Sequence, residues 1–118
     1  MENQKFEVII STCDKFSDLW EANVKLINEN WSNRNADTYL VTDKISNREF
    51  ENVKVICAGE GTEITERLAV AIKEIEAKYI VFTLDDYFLT EPIDNQKIVS
   101  AIEFMETENV DYLRLYPA

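Results

Sequence analysis

Residues 78–88, KYIVFTLDDYF, pass from an apolar, β-favouring run directly into two adjacent carboxylates. The apolar part, Tyr79 to Leu84, has the composition of a strand buried on both faces, which is usual in parallel sheets. In open α/β sheets, ligands bind just outside the carboxyl ends of such strands. We therefore expect a parallel sheet with a ligand-binding edge that includes Asp85 and Asp86.

Short apolar runs and longer amphipathic stretches alternate along the rest of the chain. Strands are predicted at 6–12, 38–42, 53–57, 79–84 and 110–116, with helices at about 16–31, at 62–77 and from 94 onward. The order β-α-β-β-α-β-α-β predicts a single α/β domain over residues 1–118. Its architecture is a three-layer α/β/α fold with a mostly parallel, twisted, Rossmann-like sheet and right-handed crossovers.

Capping residues and apolar stripes give more detail on the helices. Asp94 stands where the N-cap of the last helix is expected, and Asp14 or Ser17 where that of the first is expected. Trp20 and Trp31 lie on the apolar stripe of the first helix, so we expect both in the core.

Composition excludes several classes of function. The formal net charge of −11 argues against a sequence-independent grip on nucleic acid and against binding to an anionic membrane surface. No apolar run is long enough to span a bilayer, and the N-terminus lacks the apolar region of a signal peptide. Cys13 and Cys57 lie in separate segments and form no CxxC motif, which favours reduced thiols in a cytoplasmic protein.

Two missing residue types exclude familiar catalytic and binding motifs. The only glycines are Gly59 and Gly61, so neither GxGxxG nor GxxxxGK[ST] occurs. The chain has no histidine, which removes Ser-His and Cys-His nucleophile pairs and histidine-type zinc sites.

Polar residues end three of the predicted strands. They are Ser11 to Asp14, Thr42-Asp43 and Asp85-Asp86. If these strands are parallel, the three groups gather along one edge of the sheet. Carboxylates without histidine favour a hard cation, Mg²⁺ or Mn²⁺, held by oxygen ligands beside a phosphate.

Three segments together resemble inverting GT-A glycosyltransferases of the family-2 type. These are ERLAVAI at 66–72, KYIVFTLDD at 78–86, and VIISTCDK at 8–15. In that family an Arg-led helix precedes a strand that ends in a DxD-like acidic motif, and the first strand leads into a nucleotide-binding loop. The resemblance covers nearly all of the chain and implies a fold of the nucleotide-diphospho-sugar transferase type.

The resemblance also implies a role for individual residues. Asp86 matches the aspartate that holds a divalent ion on the diphosphate, and Asp85 its neighbour directed at the ribose or the metal shell. Asp43 matches the acid that reads the base, and Arg67 the arginine that faces the nucleotide. The remaining matches are Ser11 and Cys13 in the first loop, around the base.

Two positions depart from the family pattern. Thr83 stands where the first acid of the motif often occurs, and Cys13 replaces a frequent aromatic residue. Inverting transfer also needs a general base. The acids after the motif, among them Glu103 and Asp111, have the pattern of a solvated helix face or turn. We therefore expect the donor-binding portion of a truncated transferase of polysaccharide or glycan synthesis, with a nucleotide-diphosphate sugar as ligand, first of all a UDP-sugar.

Other interpretations remain open at this stage. Asp85 and Asp86 also suit a simple strand end, Asp43 a turn, and Arg67 an ion pair with a glutamate on its own helix. Cys13 also suits a small buried apolar residue. For the whole chain, the alternatives are a non-catalytic α/β interaction domain and a receiver-like signalling module.

Overall fold

The computed structural model describes residues 6–75 and 77–113. Its strands are β1 (Phe6–Ser11), β2 (Thr38–Thr42), β3 (Lys54–Cys57) and β4 (Tyr79–Leu84). A 3₁₀ helix (Asp14–Leu19) precedes α1 (Trp20–Asn30), and the other helices are α2 (Ile64–Glu74) and α3 (Asn95–Glu108). The predicted order β-α-β-β-α-β-α is confirmed over these elements.

The four strands form one parallel sheet in the order β3-β2-β1-β4. Ser11, the last residue of β1, lies beside Val41 of β2 and Leu84 of β4. Thr42 at the end of β2 lies beside Cys57 at the end of β3. The carboxyl ends of all four strands therefore meet at one edge, as parallel pairing requires. We call this edge, with the loops that follow β1, β2 and β4, the acidic rim.

Helices cover both faces of the sheet and confirm the three layers. On the first face, Phe6, Val8 and Ile10 pack with Ile27 of α1, with Trp31 directly after it and with Ile102 of α3. On the second face, the side chains of Ile9, Val41 and Ile56 pack with Ala71 of α2 and with Ile75. Side chains that alternate along β1 thus enter two separate clusters, because successive residues of a strand point to opposite faces.

The connection between β2 and β3 contains no helix and lies on the first face. Phe50 and Val53 from this connection pack with Trp20 and Val24 of α1 and with Leu40 of β2. Trp20 and Trp31 are 1% and 3% exposed, which confirms both as core residues.

The strand buried on both faces is β1 rather than β4, so the burial expected for Tyr79 to Leu84 is wrong. Every residue of β1 is buried, whereas β4 is an edge strand in which no residue reaches full burial and Phe82 is 42% exposed. Both segments are β-favouring and apolar. Composition alone does not distinguish a central strand from an edge strand, because that depends on which neighbours each one pairs with.

The first helix begins later than predicted. Residues 14–19 form a 3₁₀ helix with a non-helical backbone at Phe16, and α1 starts at Trp20 after Leu19. Neither Asp14 nor Ser17 caps α1, so the predicted cap is wrong. Asp14 instead serves the acidic rim, where its backbone N–H is bound by a side chain of another loop. The cap predicted for α3 is confirmed, since Asp94 Oδ1 accepts a hydrogen bond from Gln96 N–H at 3.0 Å.

Residues 110–113 do not form the predicted fifth strand. Asn109 adopts the left-handed conformation (φ 55°), and Val110 N–H donates to the Met105 carbonyl at 2.9 Å. This is a turn that ends a helix, and it removes Val110 from strand pairing. The rest of the predicted strand, 114–116, lies outside the described residues.

Candidate functional site on the acidic rim

Hydrogen bonds join the three loops of the acidic rim. The loop after β1 is bound to β2 by Thr12 N–H, which donates to the Val41 carbonyl at 3.0 Å. On the other side, Asp85 N–H donates to the Ser11 carbonyl at 3.1 Å. Ser11, Asp43 and Asp85 therefore lie on one continuous edge, as the sequence predicted. Ser11 itself is buried, at 6% exposure.

Asp85 is half-buried, and its carboxylate is held from inside the protein. Thr12 Oγ1 donates to Asp85 Oδ2 at 2.7 Å, and Thr12 in turn accepts a hydrogen bond from Trp20 Nε1 at 2.8 Å. One carboxylate oxygen is therefore committed to the fold. The alternative interpretation, in which Asp85 is only a solvated residue at the end of a strand, does not account for these hydrogen bonds.

Asn23 of α1 fixes the turn that carries both acids. Its amide Nδ2 lies 3.3, 2.9 and 3.4 Å from the carbonyl oxygens of Leu84, Asp85 and Tyr87. Tyr87 N–H also donates to the Leu84 carbonyl at 3.1 Å and closes the turn. Asn23 is only 3% exposed, so this amide is a buried polar group used to hold backbone.

Asp86 follows in the same turn, and its side chain is exposed. Within residues 6–75 and 77–113 its carboxylate has no hydrogen-bond or ion-pair partner. Of the two adjacent acids, Asp86 is therefore the one with both carboxylate oxygens unused by the described residues.

Asp43 connects the loops after β1 and β2 through a single oxygen. Its Oδ1 accepts hydrogen bonds from Asp14 N–H at 2.8 Å, Lys44 N–H at 2.9 Å and Thr42 Oγ1 at 3.2 Å. Burial opposes ionisation of this carboxyl, but these hydrogen bonds outweigh it and lower its pKa. Asp43 is thus an anionic anchor of the first loop, with Oδ2 outside these bonds.

Arg67, Cys13 and Cys57 have fewer contacts with the acids of the rim than Thr12 and Asn23 have. Arg67 lies in the first turns of α2, and its Nη1 donates to the Thr62 carbonyl. Its Nε is buried and, among the described residues, unpartnered, and Arg67 forms no ion pair with the acids of the rim. Cys13 is half-buried in the first loop and Cys57 is exposed at the end of β3, both as free thiols.

The acids alone do not form a metal cage. Within the described ranges no group of three or more Asp, Glu, Cys or His side chains is placed to hold an ion. Mg²⁺ usually takes one or two carboxylates and completes its shell with water and substrate phosphate. Asp86 and the second oxygen of Asp85 fit that mode, in which a phosphate ligand has to supply the rest.

A cavity of about 510 Å³ lies at the opposite end of the sheet, beside the first residues of β2 and β3, and Arg34 and Lys54 are among its lining residues. Arg34 cannot offer it a donor for an anion. Its Nε donates to Thr38 Oγ1, and its Nη1 lies within hydrogen-bond distance of the Ile27 and Trp31 carbonyls. Its Nη2 lies within the same distance of Asn28 Oδ1 and the Asn52 carbonyl. All five N–H groups of the guanidinium are therefore used within the protein.

Sequence reasoning placed Thr12 in the polar group after the first strand without giving it a role, and it missed Trp20 and Asn23 as site residues. Asn23 left a trace, because it is a polar residue three positions after Trp20 on the otherwise apolar stripe of the first helix. A buried amide on such a stripe indicates a carbonyl or carboxylate that must be held. Thr12 left no comparable trace, since threonine is common at strand ends.

A scan against models of protein families, a search of curated proteins and a search of solved structures each found no match for this chain. Of the helices in the described part of the chain, none has the length and apolar character needed to cross a membrane.

Proposed function

We propose that this domain binds a nucleotide-diphosphate sugar, with Asp86 and Asp85 holding Mg²⁺ or Mn²⁺ on the diphosphate, as the donor-binding portion of a GT-A type glycosyltransferase. The observation that carries the proposal is the joined rim. Thr12–Asp85 at 2.7 Å and Asp14–Asp43 at 2.8 Å connect three loops and fix two carboxylates on one edge. Acids placed at strand ends only by chance need no such support from neighbouring loops.

Each acid has a role that suits its surroundings. Asp86 is exposed and supplies oxygens to the cation, while Asp85 is anchored on one side and presents its other oxygen to the cation or the ribose. Asp43 is held ionised and fixes the first loop, so that Oδ2 is free to accept from an N–H of the base. When bound, the cation neutralises the charge that develops on the leaving diphosphate.

The proposal is confined to donor binding. The acids that follow Asp86 include Glu103, Glu106 and Glu108, which are exposed on α3, and Asp111, which is exposed beyond it. None of these four lies in the loops of the acidic rim, where a general base would have to be to take a proton from an acceptor hydroxyl. The loop after β4 also carries Glu91, which is exposed, and Asp94, whose side chain caps α3.

The test is a thermal-shift panel of UDP and other nucleoside diphosphates at millimolar concentration, with Mg²⁺, Mn²⁺ or EDTA. A ligand at about 100 times its dissociation constant stabilises the native state by about 2.7 kcal/mol, which raises the melting temperature by several degrees. We expect this rise only with the divalent ion, because without it the anionic diphosphate would lie against the carboxylates of Asp85 and Asp86 with no positive charge between them.

Two variants locate the effect. Asp86→Ala should abolish the metal-dependent shift. Asp111→Ala removes the same charge from an exposed position after the end of α3 and should leave the shift intact. No shift with any nucleoside diphosphate, or equal loss in both variants, would contradict the proposal.

A second candidate is a non-catalytic domain that keeps the fold without nucleotide binding. It is favoured by one observation, that within the described residues no group of three or more Asp, Glu, Cys or His side chains is placed to hold an ion. The same panel separates the two, since this candidate predicts no shift. The receiver-like alternative gains no support from the sheet, because flavodoxin-like receivers have the strand order 2-1-3-4-5 and this sheet has 3-2-1-4.

A further inference from the structure

A chain of directional hydrogen bonds runs from the core to the acidic rim. The indole N–H of Trp20 is a donor only, so Thr12 Oγ1 must act as acceptor toward it. The single hydroxyl proton of Thr12 then goes to Asp85 Oδ2 at 2.7 Å rather than to the more distant Cys13 carbonyl at 3.3 Å. The direction of donation, from Trp20 to Thr12 and from Thr12 to Asp85, therefore follows from which groups can donate and which can accept.

Trp20, the first donor in this series of hydrogen bonds, is held rigidly. Trp20 is 1% exposed, and the guanidinium of Arg48 lies 5.3 Å from the centre of its ring. Arg48 also lies 5.0 Å from the Phe50 ring and donates to the Ser17 carbonyl at 2.8 Å. The indole is thus enclosed on the side of the β2–β3 connection and has little freedom to turn away from Thr12.

We propose that Thr12 and Trp20 are positioning residues of the donor site. They hold Asp85 by Oδ2 so that its other oxygen meets the cation or the ribose of the bound nucleotide. The inference rests on the proposed function and adds two buried residues that do not themselves touch the ligand. Partners of this kind, which orient a metal-binding carboxylate, typically change metal affinity by about 10-fold or more when removed.

Thr12→Val is the direct test, because valine keeps the shape of threonine and loses the hydroxyl. We expect the dissociation constant for UDP in the presence of Mg²⁺ to rise about 10-fold. Thr12→Ser, which keeps the donor, should stay close to the wild type. Trp20→Phe keeps most of the packing, removes the indole N–H and provides a second variant if Thr12→Val folds poorly.

The second tryptophan supplies a matched control. Trp31 Nε1 donates to Asn95 Oδ1 at 2.8 Å in a pair that resembles Trp20–Thr12 but does not involve the carboxylates of the rim. Asn95→Ala should lower the free energy of unfolding without changing the dissociation constant. In ¹H–¹⁵N spectra, addition of Mg²⁺ and UDP should shift the Trp20 indole signal and leave that of Trp31 in place.

The outcomes separate this inference from the proposed function. If the wild type binds UDP with Mg²⁺ but Thr12→Val binds equally well, the positioning role is wrong and the proposed function stands. The same conclusion follows if both indole signals remain unmoved on binding. If the wild type binds no nucleoside diphosphate at all, the proposed function fails and this inference fails with it.

Discussion

A buried acid in the central strand lies away from the acidic rim. Glu7 of β1 is 8% exposed, and the Tyr39 hydroxyl donates to its Oε1 at 3.5 Å. Burial raises the pKa of Glu7, and the nearby Asp37 raises it further, while Tyr39 acts in the opposite direction. The carboxylate of Asp37 lies 3.7 Å from the ammonium of Lys54, the first residue of β3, so one cation also lies near these acids.

Glu7→Gln should therefore stabilise the protein at neutral pH. A raised native pKa means that the folded state holds the proton more tightly than the unfolded chain. The stabilisation from protonated Glu7 is fully present below the ordinary glutamate pKa of 4.5 and is lost as pH rises through the higher pKa of the folded state. We expect urea unfolding to show a gain for Glu7→Gln at pH 7.5 that disappears toward pH 4.5.

Glu29→Gln is the matched control, because Glu29 is exposed on α1. It should change the free energy of unfolding little at either pH. A gain for Glu7→Gln that is equal at both pH values would contradict the role of ionisation.

The acids of the site were predictable at the residue scale, but their support was not. Asp43, Asp85 and Asp86 follow β-favouring runs, and strand ends in a parallel sheet have to converge. That Asp43 Oδ1 binds Asp14 N–H, or that Asp85 Oδ2 binds Thr12, depends on loop geometry to within an ångström. Hydrophobic periodicity carries no information on distances of that precision.

At the scale of elements, Arg34 ends α1. Its Nη1 lies 3.2 and 3.0 Å from the carbonyls of Ile27 and Trp31, which also accept the backbone N–H groups of Trp31 and Arg34. Burial lowers the pKa of the guanidinium. The same side chain reaches the first residue of β2 through Thr38 Oγ1 at 2.7 Å, so one residue joins a helix end to a strand start.

Arg34→Lys should destabilise the fold by about 2 kcal/mol, because an ammonium has three donors and cannot reproduce the planar fork. Urea unfolding followed by circular dichroism measures this change. Lys25→Ala, at an exposed position of the same helix, should change stability by no more than about 0.5 kcal/mol. An equally small effect for Arg34→Lys would show that its bonds are replaceable by water.

The elements differ in how far local sequence determines them. The bounds of β2 and β4 agree with prediction, because polar residues flank both runs closely. The predicted first helix, at about 16–31, includes most of the 3₁₀ helix, since the apolar stripe continues across it. The stripe reports which side is buried and does not report the backbone change at Phe16, which accompanies the connection of the first loop to Asp43.

For the whole molecule, the dominant electrostatic feature is a net charge of −11 on 118 residues. Self-repulsion of like charge destabilises a compact state, and salt screens it over about 10 Å at 0.1 M. We expect the melting temperature to rise as NaCl is increased from low to physiological concentration.

Choline chloride at equal ionic strength should have the same effect, because screening does not depend on the identity of the cation. A neutral osmolyte at matched osmolality should not reproduce it. A melting temperature that falls with salt would mean that surface ion pairs, such as Lys78 with Glu106 at 3.9 Å, outweigh the repulsion.

The position of α3 limits how the sheet can be extended. Because α1 and α3 lie on the same face, a right-handed crossover from β4 through α3 would lead toward β1, where the neighbouring place is already filled. A parallel strand beside the free side of β4 would need a left-handed crossover, which occurs in about 2% of such units. A strand that runs in the opposite direction is free of this constraint. A strand that directly follows α3 and joins β4 at its open side is thus expected to be antiparallel, and the sheet would become a mixed one there.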